Sequence, residues 1–375
     1  MFNYLKLKKE LLVLMIFYLV VYNSTWKLYY DTFILRNLRY VILLFMLFVF
    51  IYSLLFKSSA DQIYLIIFLS LVIIVNFFLK NNVLVIFLIF NMYLVFMTPR
   101  EVISSYMLGI FFGLITVMFL SFIGILPIHP MLLSYGFMNP NTLAFYIMIV
   151  NVSYVYLNWN LLKSRFYILY FLSIFFVWVQ LDSTTPALAM ILFLLLNIIF
   201  NNKKSKLFVK FTSFLPLITF FFSLFLGEMY GKFSWIAKLN IWLSDRVNIW
   251  NYYLGLYPVR LLPKARSYYP VVQNFNSNSL NNGASSFDGA YIYNLLSQGL
   301  ILTIILLLLL SFSVYFLGKE GNMPLVCVFF VLIIYSFSET ITLSFGSYFQ
   351  CYLISLSIII VFLGNRSKRF SISMR

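Results

Sequence analysis

Apolar residues run along this chain in blocks of about twenty rather than in alternation. A block of that length lets an α-helix cross the hydrocarbon core of a bilayer, with every backbone polar group bonded inside the helix. The blocks centre near Met15, Phe48, Leu69, Phe90, Leu114, Val150, Ile174, Leu194, Thr219, Ile305, Leu332 and Ser357. The pattern predicts an all-α, polytopic integral membrane protein of about twelve transmembrane helices, with residues 1–375 forming a single membrane domain. A β-barrel would need short alternating segments, which are not present. One interval breaks the rhythm. Residues 228–288 are polar and rich in Asn, Ser, Tyr and Lys/Arg. No internal repeat is evident.

Basic residues orient the spans. Lys6, Lys8 and Lys9 precede the first block, and Arg366, Lys368 and Arg369 follow the last. Lys163 and Arg165, then Lys203, Lys204 and Lys206, fall between blocks two spans apart. An even number of spans puts all of these on one side, the cytoplasmic side of the cytoplasmic membrane, with both termini there. Lys27, Arg36, Arg39 and Lys80 run against that assignment. The 228–288 loop is then extracytoplasmic. The first block follows a basic stretch and precedes no small-residue cleavage site, so it reads as a retained span.

Composition agrees. The chain is 63% hydrophobic and 10% charged, too few charges to cover a water-soluble surface. The net charge of +16 would suggest nucleic acid in a soluble protein. Here it lies largely in loops and tails, where it meets anionic lipid headgroups, so the bilayer and not nucleic acid is the expected partner. Cys327 and Cys351 sit in apolar runs as small core residues. The single histidine, His129, stands between two prolines as a turn residue. No metal-binding spacing occurs, so neither metal nor cofactor is expected.

The unusual polar stretches sort to the outer side: "HPMLLSYGFMNPNT", "LDSTTP", the long loop and "SFSETITLS". Nucleotide triphosphates are not available there, so any reaction must use an already activated substrate. In "NPNT", Asn139 suits a helix N-cap and Pro140 the first helical position, with Asn141 and Thr142 in the first turn. Thr184–Pro186 starts another helix on the same side, near Asp182. Two helix starts with free N–H groups can polarise a lipid-linked phosphate, and they serve equally as plain caps. In the loop, residues 232–256 predict one amphipathic interfacial helix. Trp235, Leu239, Trp242, Ile249, Trp250 and Tyr253 would share its face, with Arg246 between them. An arginine among aromatics at headgroup depth suits a phosphate or pyrophosphate; it also suits a carboxylate partner or a snorkelling anchor. Arg260, Lys264 and Arg266 add a basic stretch downstream. Three outer carboxylates, Asp182, Asp288 and Glu339, are each a candidate general base, a partner for Arg246, or a solvated group.

At these residues the chain resembles the Wzy-type polymerases of bacterial O-antigen, capsular and exopolysaccharide synthesis, within the O-antigen ligase-like membrane superfamily. The resemblance rests on "GFMNPNT" (136–142), "LDSTTP" (181–186), "SDRVNIW" (244–250), "FDGAYIYNLLSQGLI" (287–301) and "SFSET" (336–340), in order. It covers roughly residues 100–345. Thr184 stands where the family has arginine, and "YPVRLLPKARSYYP" replaces a Gly-rich stretch. The resemblance implies a GT-C-like membrane fold and transfer of a glycan from undecaprenyl pyrophosphate to a lipid-linked oligosaccharide repeat unit. Arg246 would stabilise the leaving pyrophosphate, with Asp288 or Glu339 as base. Asn139, Asn141, Thr142, Asp182, Thr184, Arg260, Lys264 and Arg266 would contact substrate, and Trp250 and Tyr291 would stack on sugar or lipid. A flippase and a chain-length regulator of the same pathway are the implied protein partners. Two alternatives remain. A lipid-linked oligosaccharide transporter suits twelve spans, but no clear mid-span carboxylate is present. A glycan ligase shares the leaving group, but the long loop lacks the histidine such enzymes usually carry.

Overall fold

The computed structural model describes residues 2–30, 32–55, 82–94, 97–126, 134–137, 139–201, 203–262, 288–343 and 352–364. These residues are organised as helices: α1 (Phe2–Tyr22), α2 (Trp26–Tyr29), α3 (Phe33–Leu55), α4 (Asn82–Leu94), α5 (Pro99–Phe122), α6 (Pro140–Leu157) and α7 (Ser164–Phe175). A π-helical turn, Phe176–Gln180, extends α7. The series continues with α8 (Thr184–Phe200), α9 (Lys206–Met229), α10 (Ser234–Trp242), α11 (Arg246–Leu256), α12 (Ala290–Lys319), α13 (Met323–Ser338) and α14 (Tyr352–Gly364). Among the described residues, α5, α6, α9 and α12 are long and apolar enough to cross a membrane. All the expected block centres lie in helices except Leu69, which is outside the described residues.

The helices present apolar faces outward. Phe111, Phe112, Ile115 and Phe119 of α5, Phe214, Ile218 and Phe221 of α9, and Ile304, Ile305, Leu308 and Phe312 of α12 are all exposed. Such continuous apolar faces fit lipid as solvent and would be an aggregation liability in water.

Packing divides the chain into two compact units. In the first (1–64, 92–204 and 323–328), α1 lies against α5. Gly109 and Gly113, one turn apart, let Ile16 and Val20 approach. A Cβ on Gly113 would stand 2.6 Å from Val20 Cγ1. Small residues at a helix contact are how helices gain dispersion energy in lipid, where burial of apolar surface alone gives little. A capping box at Thr98 and Glu101 starts α5, and α6 packs on α5 and α8.

In the second unit (65–91, 205–322 and 329–375), α12 packs against α9 and α14, and α11 lies on α9. Gly227 makes the last contact possible: a Cβ there would lie 2.8 Å from Leu254 Cδ1. Leu226, Val247, Ile249, Trp250, Tyr253 and Ile292 form a buried core beneath α11. Inside α12, Gly299 has φ +81° and ψ 167°, so the helix is two helices meeting at a break.

The single amphipathic helix expected over 232–256 is corrected to two, α10 and α11. Ser244 and Asp245 between them hold φ of 51° and 64°, left-handed values that no continuing helix tolerates. The turn is fixed by Asn240, whose Nδ2 donates to Asp245 Oδ1 (2.8 Å) and whose Oδ1 accepts from the Asn248 N–H (3.0 Å). The expected shared face is split accordingly. Trp242 is 85% exposed, while Trp250 and Tyr253 are fully buried.

Candidate functional site

The left-handed turn places Arg246 at the first position of α11 and turns its side chain inward. Arg246 Nη2 donates to Glu339 Oε1 at 2.6 Å and lies 3.4 Å from Asp288 Oδ2. Its Nη1 donates to the Leu243 carbonyl at 3.1 Å. Its Nε is buried with no acceptor. The three residues named for chemistry from the sequence, 42 and 51 positions apart in sequence, thus form one buried ion cluster.

Each carboxylate is held by its own local device. Asp288 precedes Gly289, whose φ of +96° starts α12 sharply and whose missing side chain admits the Trp250 indole. A Cβ on Gly289 would stand 2.5 Å from Trp250 Nε1. That Nε1 donates to the Asp288 carbonyl at 2.7 Å. Phe337 meets the Trp250 ring edge to face, with centroids 5.4 Å apart. Glu339 directly follows α13, its N–H donating to the Tyr335 carbonyl at 3.1 Å, and the next residues turn back through a bond between the Ser336 and Thr342 hydroxyls.

One guanidinium faces two carboxylates, so full ionisation would leave an excess negative charge in a dry place. Burial pushes both carboxyls up, and Arg246 opposes the shift. The Glu339 carboxyl is pushed up to about 8, with the Asp288 charge adding to burial. A carboxyl that holds its proton near neutrality, beside one that shares a cation, can take up and return a proton during a reaction. The Nε donor left open on Arg246 can meet an anionic oxygen.

Trp250 and Tyr291, expected to stack on sugar or lipid, are corrected to packing residues. Both are buried, Trp250 between Gly289 and Phe337, and Tyr291 with its hydroxyl donating to the Ile333 carbonyl at 3.0 Å. Arg260 is exposed, and its backbone carbonyl accepts the Leu300 N–H. Lys264 and Arg266 lie outside the described residues, as do His129 and Cys351. Cys327 is a buried free thiol.

The helix starts of the first unit form as the sequence predicts. Asn139 Oδ1 accepts the Asn141 N–H at 2.8 Å, Pro140 opens α6, and Thr142 N–H donates to the Asn139 carbonyl. Ser183 is the N-cap residue of α8, before Thr184, and its hydroxyl donates to Asn141 Oδ1 at 2.6 Å. The two starts are therefore adjacent. Asp182 is exposed at the preceding turn with φ 49°. Ser183 was not singled out from sequence, although a serine before Thr-Thr-Pro is a cap signal. Asn240 and Gly289 were also missed. The glycine after Asp288 was the available signal for the second; nothing local marked the first.

Compared with models of known protein families, with curated proteins and with solved structures, the chain gives no match.

Proposed function

We propose that this protein is a polysaccharide polymerase of the cytoplasmic membrane, a glycosyltransferase that joins polyprenyl-pyrophosphate-linked oligosaccharide repeat units at the outer face. In this reading about twelve helices span the bilayer, both termini are cytoplasmic, and residues 228–288 lie outside. The observation that supports it best is the bridging of Asp288 and Glu339 by Arg246. A hydroxyl of the acceptor repeat unit attacks the anomeric carbon of the donor glycan. The new C–O bond forms as the bond to pyrophosphate breaks, the pyrophosphate leaves with the electron pair, and the hydroxyl proton passes to Asp288 or Glu339. Arg246 meets the developing charge on the pyrophosphate, using its open Nε and exchanging a carboxylate for phosphate oxygen. The activated bond supplies the driving force. The resemblance at "GFMNPNT", "SDRVNIW" and "SFSET" supports the same donor, undecaprenyl pyrophosphate.

A carboxylate pair around a buried cation is also suited to proton-coupled transport, so the test must separate the two. Cells carrying Arg246→Ala at normal membrane levels are expected to lose long polymer. They should accumulate a single lipid-linked repeat unit that reagents reach from outside. Repeat units trapped on the cytoplasmic side would favour transport. Polymer of normal length and amount would sink both readings of Arg246.

A further inference from the structure

We propose that the break in α12 is a binding site for a desolvated monovalent cation, Na+ or K+. The proposal is independent of the glycosyl-transfer reading. Asn294 and Gln298 are one helical turn apart on the same side of α12, just before Gly299, and each is about 1% exposed. Asn294 Oδ1 and Gln298 Oε1 are buried with no hydrogen-bond partner. The Asn294 amide is oriented by its other end, since Nδ2 donates to the Leu343 carbonyl at 3.0 Å. Two buried carboxamide oxygens without partners, one turn apart on the same side of a helix, are costly unless something satisfies them.

The backbone adds further oxygens. In an unbroken helix the Leu300 and Ile301 N–H groups would bond the Leu296 and Ser297 carbonyls. Here they donate to the Arg260 and Leu261 carbonyls instead, at 2.8 and 3.1 Å. The break is built in. Gly299 has φ +81°, and a Cβ there would lie 2.9 Å from the Leu261 carbonyl oxygen. The first half of α12 therefore ends at a negative dipole terminus with carbonyls released from their usual donors. All these groups are oxygen acceptors, which selects a cation. None is a carboxylate, which selects a monovalent ion over Ca2+ or Mg2+. Broken membrane helices place unwound carbonyls around ions for the same reason.

The test is thermal unfolding of the purified full-length protein in sodium, potassium or N-methylglucamine chloride at equal ionic strength. One of the two small ions is expected to raise the midpoint saturably, by roughly 2–4 °C, with N-methylglucamine inert. Gln298→Met removes the oxygen with little change of volume and should abolish that response while keeping the fold. Gln298→Glu adds charge and should move the response to roughly tenfold lower ion concentration. A wild-type midpoint indifferent to ion type would mean that a water sits there, and would overturn the proposal. So would a Gln298→Met protein, or a Gln298→Glu protein, that responds as the wild type does.

Discussion

The Asn139–Asn141–Ser183 cluster of the first unit and the Arg246–Asp288–Glu339 cluster of the second both assemble at helix ends, and the sequence suggested phosphate recognition for both. They differ in how far the protein satisfies them. In the first, the Asn141 N–H and the Ser183 hydroxyl each find a neutral oxygen close by. The Asn139 side chain takes a backbone N–H, and Ser183 closes onto Asn141 at 2.6 Å. Nothing is left in conflict: Asn139 caps α6, and the Ser183 hydroxyl ties the start of α8 to it. In the second, a buried carboxylate and a half-buried one compete for one guanidinium, whose Nε has no acceptor. A protein selected for stability alone would gain by replacing such a cluster with apolar side chains. Retained strain of this kind is a physical reason to look for chemistry at Arg246 rather than at the helix caps.

The contrast can be broken most forcefully at Gly289. An alanine there must adopt φ near +96° and collide with the Trp250 indole, which in turn carries the Asp288 carbonyl. Gly289→Ala should destabilise the second unit by about 3 kcal/mol or more. Gly255→Ala in the last turn of α11, where a Cβ would meet nothing within 4 Å, should be neutral or slightly stabilising. Chemical unfolding of the two variants side by side checks this. Equal midpoints would mean that the Asp288 corner is not held by the Trp250 contact.

Glu339 provides the next test. Its carboxyl is raised from an ordinary glutamate value toward about 8. Between those limits the folded state keeps a proton that the unfolded state has lost, so stability falls as pH rises through this window. Glu339→Gln cannot titrate. Between about pH 5 and pH 8 the wild type should lose stability that the variant keeps. Unfolding midpoints across that range read it directly, and parallel curves would show that Arg246 already holds Glu339 ionised. Under the proposed function, the same variant should also slow polymer formation, because it removes the carboxyl that exchanges a proton beside Asp288 and Arg246.

Helix starts were legible because they depend on one or two adjacent residues. Asn-Pro-Asn and Thr-Thr-Pro declare an N-cap and a first turn by themselves, and α6 and α8 begin there. The membership of the ion cluster was legible for a different reason: charges are so rare among these apolar blocks that each outer carboxylate stood out. The division of 232–256 was not legible. Periodicity placed Trp242 and Trp250 on one face, but Asn240 bonds to Asp245 and to Asn248, and so stabilises a left-handed turn that a face-counting argument cannot see. The burial of Trp250 and Tyr291 was hidden too. Aromatic residues read alike from sequence whether they face a sugar or fill the space beside a glycine 39 residues away.

The smallest expected effect belongs to the closed cluster. Ser183→Ala deletes the hydroxyl that joins the two helix starts and leaves Asn141 Oδ1 without that donor. Asn141 is only half-buried, so water can replace the lost bond. The cost should be about 0.5–1.5 kcal/mol, within the range of a single cap or neutral hydrogen bond. Polymer length on a gel should be unchanged, since the variant leaves Arg246, Asp288 and Glu339 as they are. A loss of polymer as deep as that of Arg246→Ala, in a protein that unfolds near the wild-type midpoint, would reverse the comparison. It would mean that the caps contact substrate, and that satisfied hydrogen bonds at two helix starts are no guide to where this protein does its chemistry.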